Sequence, residues 1–366
     1  MSEGQVIIVG AGVLGLSCAV QLSRSGHSVT VIARDLPGDS HIDYASPWAG
    51  AHFRPSPAKT PAEQLEQQLM RDTYNELEVL AQEQPESGVK IVPAIEYFDA
   101  AHADSFLATE NGYVDWPDFR ILESEEYPAH HESIQLGVTY RSWVLNSPVY
   151  LQWCQRQGEK QGVRFVRANV TSMEEAVSLF QDKHRQGGAS NIRAVVNATG
   201  RGFDDPNSYP SRGQFIIVSN QCDNTISHHW ADGSSTVIIP RPLGGGTVIG
   251  GTKEPNNWSE DISSAATDTI LKRVGQLCPE LVNQETTATD DTHGFDIREV
   301  YIARRPMRRG GLRLEQENTS QGTPLIHCYG AGPSGFKISW GVAKKVELMV
   351  SNVQMLVNDP VDVSPD

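Results

Sequence analysis

The sequence is poor in cysteine and has no long apolar runs. Its 366 residues include 5 cysteines and no Cys-x-x-Cys pair, so neither a zinc site nor a disulfide framework is indicated and no metal is expected. Single buried thiols are expected, with one bridge between Cys222 and Cys278 left open. No apolar stretch approaches the length that spans a membrane, which predicts a protein without a membrane-spanning segment.

Positive charge is also scarce. Lys and Arg number 30 against 45 Asp and Glu, which gives a formal net charge of −15. Such a surplus of negative charge argues against nucleic acid and against an anionic membrane surface as partners. The first apolar run, Gln5 to Val9, fits a buried strand rather than a signal peptide. We therefore expect a soluble, intracellular protein, long enough for two domains or one elaborated domain.

The first thirty-five residues carry the strongest pattern in the chain. The apolar run Gln5 to Val9 is followed by Gly10-Ala11-Gly12-Val13-Leu14-Gly15, which opens the helical stretch Leu16 to Ser25. A second apolar run, Ser28 to Ala33, completes a compact strand, helix and strand unit. A G-x-G-x-x-G sequence in this context is typical of dinucleotide binding.

Each glycine of this motif has its own physical reason. Gly10 permits a tight turn, Gly12 lets the backbone approach a diphosphate, and Gly15 lets the helix pack closely on the strand. The diphosphate then lies at the positive end of the helix. The acidic residue usual at the end of the second strand is replaced by Ala33, so Arg34 and Asp35 are the candidates for the ribose and adenosine end.

Three further segments are rich in small residues. They are 44–52 (Tyr-Ala-Ser-Pro-Trp-Ala-Gly-Ala-His), 193–200, which ends in Asn-Ala-Thr-Gly, and 330–337 (Gly-Ala-Gly-Pro-Ser-Gly-Phe-Lys). Small residues allow a backbone to approach a flat ligand or a diphosphate, although a tight structural loop explains the first segment equally well. The second segment is predicted to be a buried parallel strand whose carboxyl end faces the cofactor.

The middle of the chain predicts a second sheet. Residues 89–100 and 137–145 alternate between apolar and polar side chains, which is typical of antiparallel strands. Residues 236–240 and 247–251 form a hairpin signal, and 163–170 is predicted as a strand that returns to the first domain. Residues 296–305 are predicted as a strand with Arg304 and Arg305 on opposite faces.

Taken together, these pieces resemble the D-amino-acid oxidase family, which includes the D-aspartate oxidases, and its fungal members above all. The matching segments are 9–16, 33–37, 45–51, 197–200, Arg-Gly-Gln at 212–214, Ile-Ile-Pro-Arg-Pro at 238–242, Gly-Gly-Thr at 250–252, Arg-Arg-Pro-Met-Arg-Arg-Gly-Gly at 304–311, and Tyr-Gly…Ser-Gly-Phe at 329–336. They follow the family order over nearly the whole chain.

The resemblance implies an α/β fold in which a Rossmann-type FAD-binding domain (1–88, 146–210 and 312–366) is interleaved with a mixed-sheet substrate domain (89–145 and 211–311). It also implies oxidation of a D-amino acid by hydride transfer from its α-carbon to the flavin. Dioxygen then reoxidises the flavin, and hydrogen peroxide, a 2-oxo acid and ammonia are the products. A peroxisomal location is implied too, but the chain ends without a Ser-Lys-Leu address, so the cytoplasm is the alternative. A homodimer is left open.

The resemblance also implies site residues. Arg305 matches the arginine that holds the substrate α-carboxylate, and the other catalytic candidates are His52, Lys253, Trp258 and Ser334. The expected cofactor-binding residues are Gly10, Ala11, Gly12, Val13, Leu14, Arg34, Asp35, Ala45, Ser46, Gly50, His52, Val170, Gly200, Arg305, Ser334, Gly335, Phe336 and Lys337.

Departures from the family pattern bear on the substrate. The tyrosine usual before Ile-Ile-Pro is Val237, and the tyrosine that some fungal members place after Gly-Gly-Thr is Lys253. We hypothesise that Lys253, with His52 or Arg54 assisting, selects the side-chain carboxylate of D-aspartate or D-glutamate; His228 and His229 are expected at the side wall of the pocket. The alternative interpretation is that the side chain of Lys253 points into solvent and takes no part in substrate selection.

Lys337 is unusual in the second glycine loop. We hypothesise that its charge steadies the anionic reduced flavin, whereas a solvated lysine is the simpler interpretation. Three alternatives to an oxidase for acidic D-amino acids remain open at this point. They are an oxidase for neutral D-amino acids or for glycine and sarcosine, a non-catalytic FAD-binding protein and, less favoured, a nicotinamide-dependent dehydrogenase.

Overall fold

The computed structural model of the chain describes residues 4–100, 112–129, 133–184, 192–282, 292–319 and 322–357. Its α-helices are α1 (Val13–Arg24), α2 (Pro61–Glu83), α3 (Ser147–Lys160), α4 (Met173–His184), α5 (Ser264–Leu277) and α6 (Gly335–Val357). Its strands are β1 (Gln5–Val9), β2 (Ser28–Ala33), β3 (Val89–Phe98), β4 (Arg120–Ile121), β5 (Leu136–Leu145), β6 (Arg164–Arg167), β7 (Ile192–Asn197), β8 (Ser208–Val218), β9 (Thr225–His229), β10 (Ser235–Pro240), β11 (Thr247–Gly250), β12 (Glu254–Pro255), β13 (Ile297–Arg308), β14 (Arg313–Asn318) and β15 (Pro324–Tyr329).

One sheet has six strands in the order β14-β15-β7-β1-β2-β6. All its pairs are parallel except β14 with β15. Successive side chains of β1 point to opposite faces, as a strand requires. Val6 and Ile8 pack with α1 and α6, whereas Ile7 and Val9 pack with α4. Helices therefore cover both faces of this sheet, which is the doubly wound arrangement predicted for the FAD-binding part.

The second sheet has nine strands, ordered β12-β8-β11-β10-β9-β3-β5-β4, with β13 pairing along β8. The sheet is mixed, because β3 runs parallel to β9 whereas the other strand pairs of the sheet are antiparallel. On one face, α5 packs Ile270, Leu271 and Val274 against Ile216 and Ile249 of the sheet. The predicted α/β fold with an interleaved mixed sheet is confirmed.

The crossing of α2 and α6 fixes the helix that starts at the second glycine loop. A side chain at Gly341 would bring its Cβ to 2.4 Å from the carbonyl oxygen of Leu69, so the two helices approach at backbone distance. The amide of Gly341 also donates to Thr73 Oγ1 at 3.0 Å. This close packing holds the N-terminal turn of α6, and with it Phe336 and Lys337, in place.

Several predicted boundaries are wrong by a few residues. The strand predicted at 163–170 is Arg164–Arg167, and the strand predicted at 296–305 continues to Arg308, pairing with β8 as far as Ser208. Strand β8 therefore begins three residues before the predicted domain boundary at 211. Cys222 and Cys278 are free thiols. No helix in the described ranges is long and apolar enough to cross a membrane.

Candidate active site

The glycine-containing segments 10–15, 198–200 and 330–335 meet at one edge of the six-stranded sheet. They follow β1, β7 and β15, which lie side by side and run parallel. The carboxyl ends of parallel neighbours face the same edge, where ligands bind in open α/β sheets. The cleft at this edge is closed from the other side by β13 and by segment 45–52.

The cleft contains two cavities, of about 280 Å³ and about 300 Å³. The first is lined by predicted cofactor residues Gly12, Val13, Leu14, Ala45, Ser46, Gly50, His52, Gly200, Arg305, Gly335, Phe336 and Lys337. The second is lined by predicted residues Gly10, Ala11, Gly12, Arg34, Asp35, Ala45, Ser46, Val170 and Gly200. Because four of these residues line both cavities, the two form one elongated cleft.

The N-terminal glycine turn fits a diphosphate. Gly10 has a φ of +108°, and a Cβ there would lie 2.4 Å from the carbonyl oxygen of Ala198. A Cβ on Gly15 would lie 2.0 Å from the carbonyl oxygen of Gly10. Gly12 is the N-cap of α1 and offers no capping side chain. The amide of Val13 donates to Ser46 Oγ at 3.0 Å, and the turn lines both cavities, so the positive end of the helix borders the cleft where an anion would bind.

The second cavity is surrounded by charges, and two of them, Asp43 and Arg201, were not singled out from the sequence. Asp43 pairs with Arg304 at 3.2 Å and with Arg201 at 3.8 Å, and all three line this cavity. Arg201 directly follows the predicted Asn-Ala-Thr-Gly turn. That position in the sequence was the signal that could have identified it as a residue of the cleft. Arg34 and Asp35 form an ion pair at 2.6 Å in the same cavity.

Arg305 projects from β13 into the first cavity. Its Nη1 and Nη2 both lie 3.4 Å from the carbonyl oxygen of Thr252, and its guanidinium lies 5.2 Å from the ring centre of Phe215. Among the described residues no carboxylate is in ion-pair contact with it, and burial lowers its pKa. An enclosed arginine without an acidic partner favours an anionic ligand.

His52 and Lys337 add two basic side chains to the same wall. His52 Nδ1 lies 2.7 Å from Thr225 Oγ1, and burial, with the nearby charge of Arg54, lowers its pKa to about 3. Lys337 Nζ donates at 3.2 Å to the carbonyl oxygen of Arg54 and at 3.2 Å to Ser56 Oγ. Burial, together with Arg54, lowers the pKa of Lys337 to about 8, so it is mostly protonated at neutral pH.

A buried carboxylate, Glu96, interacts with the basic residues around His52. Glu96 accepts hydrogen bonds from Tyr140 at 2.6 Å, Tyr113 at 3.0 Å and His229 Nε2 at 2.9 Å, and it lies 2.8 Å from Arg54 Nε. Burial acts to raise the pKa of Glu96, but the charge of Arg54 and these hydrogen bonds outweigh it and lower the pKa to about 2. The sequence did not point to this network, because its members are far apart in the chain.

Several predicted residues do not reach the first cavity. Lys253 is exposed and lines a separate cavity beside α5. The Ser334 hydroxyl donates to Glu66 at 2.6 Å and lines neither part of the cleft. Trp258 is 53% exposed, with Arg201 beside its ring at 4.7 Å. His228 is buried and bonded to Asp99 at 2.7 Å. Val237, where the family tyrosine is missing, does line the cavity.

These features define a dinucleotide-binding protein of the doubly wound type, with a substrate-sized space at the inner end of the cleft and an arginine facing it. The chain matches the FAD dependent oxidoreductase family over residues 5–347. It is 37% identical to a D-aspartate oxidase of Talaromyces thermophilus, over 94% of this chain and 95% of that protein. It is 30% identical to a D-amino-acid oxidase of Fusarium vanettenii, over 95% of this chain and 97% of that protein.

Among solved structures, a glycine oxidase from Bacillus cereus is similar with a TM-score of 0.68 and 18% identity, covering 96% of this chain and 95% of that one. At that identity the likeness shows the fold alone. The family match and the two relatives place the chain plainly: it belongs to the FAD dependent oxidoreductases, and FAD is its cofactor. The resemblance to the D-amino-acid oxidases is thereby confirmed.

Proposed function

We propose that the protein is an oxidase of D-amino acids, with D-aspartate or D-glutamate preferred. The observation that carries the proposal is Arg305, a guanidinium facing the first cavity without a described carboxylate partner. A planar guanidinium binds a carboxylate through two parallel hydrogen bonds. It would therefore hold the α-carboxylate and orient the α-carbon of the substrate.

Orientation is the main task of the protein in this reaction. FAD, when bound, takes two electrons from the α-carbon and passes them to dioxygen, so the cofactor supplies the redox chemistry. The diphosphate would lie at the N-terminus of α1 near Gly12, and the ring system would fill the space bordered by Gly50, Phe336 and Lys337. Arg305 borders the same space from β13, so a bound amino acid would be held against the ring at a fixed angle.

The acidic preference rests on two further basic side chains in the first cavity, Lys337 and His52. Lys337 has no ion-pair partner among the described residues, and its two hydrogen-bond acceptors, the Arg54 carbonyl oxygen and Ser56 Oγ, are neutral. With Arg305 it supplies two positive charges to one cavity, which favours a ligand with more than one negative charge. His52 supplies a third polar group there. The name of the Talaromyces thermophilus relative, D-aspartate oxidase, supports the same choice.

The proposal no longer includes Lys253. That lysine is exposed and lines a separate cavity beside α5, not the first cavity. Lys337 and His52, which line the cavity itself, take its place. Arg54 contributes through its charge and its pairing with Glu96.

A peroxide assay tests the proposal directly. Purified protein is given D-aspartate, D-glutamate, D-alanine, D-methionine, their L-forms, glycine and sarcosine. We expect peroxide from the D-forms, with D-aspartate or D-glutamate giving the highest catalytic efficiency. A clear preference for the neutral D-amino acids would refute the acidic preference, and activity confined to glycine and sarcosine would refute the D-amino-acid oxidase itself.

Two variants locate the reaction at the proposed site. Arg305→Lys keeps the charge but loses the paired donors, so we expect catalytic efficiency to fall by about 100-fold or more. Arg309→Lys, on an exposed residue of the following turn, should leave it unchanged. Anaerobic bleaching of the flavin by a D-amino acid distinguishes an oxidase from a protein that only binds FAD.

A further inference from the structure

The hydrogen bonds around His52 determine which ring nitrogen carries its proton. Thr225 Oγ1 donates to the carbonyl oxygen of Ile238 at 3.2 Å, and a hydroxyl has a single proton to donate. At the 2.7 Å contact with His52 Nδ1, the same oxygen therefore accepts. This arrangement places the proton of a neutral imidazole on Nδ1 and leaves Nε2 as a hydrogen-bond acceptor.

Nε2 is the nitrogen left for a ligand. The ring lines the first cavity, and within the described residues its one hydrogen bond is the contact through Nδ1. The charged and titratable groups that act on it are Arg54, Glu96, His229 and Lys337. Burial and the two cations favour the neutral ring and Glu96 opposes them, with the result that the pKa lies at about 3.

A neutral His52 conflicts with an anion at Nε2. The lone pair of Nε2 and the lone pairs of a carboxylate oxygen repel each other unless a proton lies between them. We propose that a substrate side-chain carboxylate binds at His52 together with one proton taken from solvent, which is held between Nε2 and a carboxylate oxygen. This inference rests on the proposed function and adds the protonation step by which an acidic side chain is accepted.

Proton uptake makes the preference for acidic ligands depend on pH. Binding that takes up one proton strengthens about tenfold for each unit by which the pH falls, as long as both partners are deprotonated when free. A ligand without a second carboxylate binds at Arg305 and takes up no proton at His52. The titration of Lys337 falls in the same pH range, and a variant that keeps Lys337 but lacks the imidazole of His52 separates the two groups.

Succinate and butyrate provide a matched pair of ligands. Both have four carbons and one carboxylate for Arg305, and only succinate has a second, at the distance of the aspartate side chain. Their dissociation constants for the holoenzyme are measured from the flavin absorption at about pH 6.5 and at about pH 8, a range in which free succinate is a dianion. We expect the ratio of butyrate to succinate dissociation constants to be about 30-fold larger at the lower pH. An equal ratio at both pH values would overturn the proposal.

The His52→Asn variant separates this effect from other titrations. The asparagine amide can donate to a carboxylate without taking up a proton, so we expect the change of the ratio with pH to fall to the part that Lys337 contributes. A ratio that changes with pH as much in this variant as in wild type would overturn the role of His52. Unchanged butyrate binding and an unchanged flavin spectrum show that the variant is folded and loaded.

Calorimetry gives a second readout. Succinate binding to the wild-type holoenzyme at about pH 6.5, where Lys337 is already charged, is measured in two buffers of different ionisation enthalpy and should show uptake of about one proton, and butyrate binding none. No uptake with succinate would overturn the inference. Peroxide formation from D-aspartate at one pH tests the proposed function separately, so an enzyme that oxidises D-aspartate without proton uptake contradicts the inference alone. A holoenzyme that neither oxidises D-aspartate nor binds succinate contradicts both.

Discussion

Gly213 determines where the guanidinium of Arg305 lies. Gly213 pairs with Ala303 across β8 and β13, and a Cβ on it would lie 2.6 Å from Arg305 Nη1. Because the clash involves the free end of a flexible side chain, the arginine can move aside at little cost in stability. We expect Gly213→Ala to fold normally and to lose about 10- to 100-fold in catalytic efficiency, since a displacement of about 1 Å is sufficient for such a loss. Steady-state kinetics and thermal unfolding measure the two effects.

A matched glycine substitution is available in α5. A Cβ on Gly275 meets only ordinary contacts, with Val282 at 3.5 Å and Phe295 at 3.9 Å. Gly275→Ala should keep full activity and gain about 0.5 kcal/mol of stability from helix propensity. If Gly213→Ala were as active as Gly275→Ala, the position of Arg305 would not depend on the missing side chain.

Lys337 predicts how anion binding changes in alkaline solution. Its pKa of about 8 is lower than that of a free lysine because of burial and the charge of Arg54. Below about pH 8 the ammonium is charged and attracts an anion in the cavity; as pH rises through about 8 that attraction is lost. We therefore expect butyrate to bind the holoenzyme several-fold more weakly at about pH 9 than at about pH 7.

The Lys337→Gln variant checks the assignment of this titration. Glutamine keeps a donor for the Arg54 carbonyl oxygen but cannot be charged. The variant should bind butyrate more weakly than wild type at about pH 7 and show no change toward about pH 9. A wild-type alkaline change that persists in the variant belongs to another group.

Some of the predicted residues line the cleft because local backbone chemistry fixes their position. Gly10 and Gly12 are required by the turn between β1 and α1, and their positions follow from spacing alone. Lys253 and Ser334 lie outside the cleft, and the reason lies in their side chains. Both lie in segments whose backbone was placed well, but the direction of each side chain depends on packing from distant parts of the chain, such as Glu66 for Ser334.

At the scale of elements, the Glu96 network joins the chain segment that carries Arg54 to two strands of the nine-stranded sheet. Glu96 is on β3 and is 1% exposed, and it pairs with Arg54 and with His229 on β9. Replacing one member of a buried pair leaves the other charge uncompensated. We expect Glu96→Gln to lower the free energy of unfolding by roughly 3 kcal/mol, measured by denaturant titration.

The surface pair of Glu315 with Arg313 serves as the control. Glu315 is 58% exposed, and an exposed pair contributes only about 0 to 1 kcal/mol. Glu315→Gln should therefore have little effect. An equally small effect of Glu96→Gln on the free energy of unfolding would mean that Glu96 does not stabilise the fold through its charge.

The acid stability of the protein should show the same carboxylate. The folded pKa of Glu96, at about 2, lies below the usual value of a glutamate. The stabilisation is then complete above roughly pH 4.5 and is lost progressively as the pH falls toward about 2. The pH dependence of unfolding in this acid range should be weaker in Glu96→Gln than in wild type, which separates the charge from the shape of the side chain.

The elements divide in the same way as the residues. The unit β1-α1-β2 and the pair β3 and β5 were predictable because glycine turns and period-two alternation are local signals. Helix α4 and strand β14 were not identified. The interior of α4 packs on β1 through Ala176, Val177 and Phe180, a role that its sequence does not show until the six-stranded sheet is in place.

At the scale of the whole molecule, the cofactor cleft joins the two sheets. Its floor is made by the loops of the six-stranded sheet, and Arg304, Arg305 and Pro306 close it from β13 of the other sheet. A ligand that binds only the folded protein stabilises it by about 1.4 kcal/mol for each tenfold excess over its dissociation constant. FAD should therefore raise the unfolding midpoint of both sheets together, in one transition.

Gly12→Ala tests this coupling with little disturbance of the fold. The φ of Gly12 is −72°, which alanine adopts easily, and its Cβ would meet only Ser46 Oγ at 3.1 Å. The methyl group would, however, occupy the place where the diphosphate approaches the N-terminus of α1. We expect the apoproteins of wild type and variant to unfold at similar temperatures, and the variant to need at least about tenfold more FAD for the same rise in midpoint. FAD titrations followed by flavin fluorescence and thermal unfolding give both quantities. Equal FAD requirements would place the diphosphate elsewhere than on this turn, whereas a lower apoprotein midpoint would show that Gly12 serves the fold rather than the cofactor.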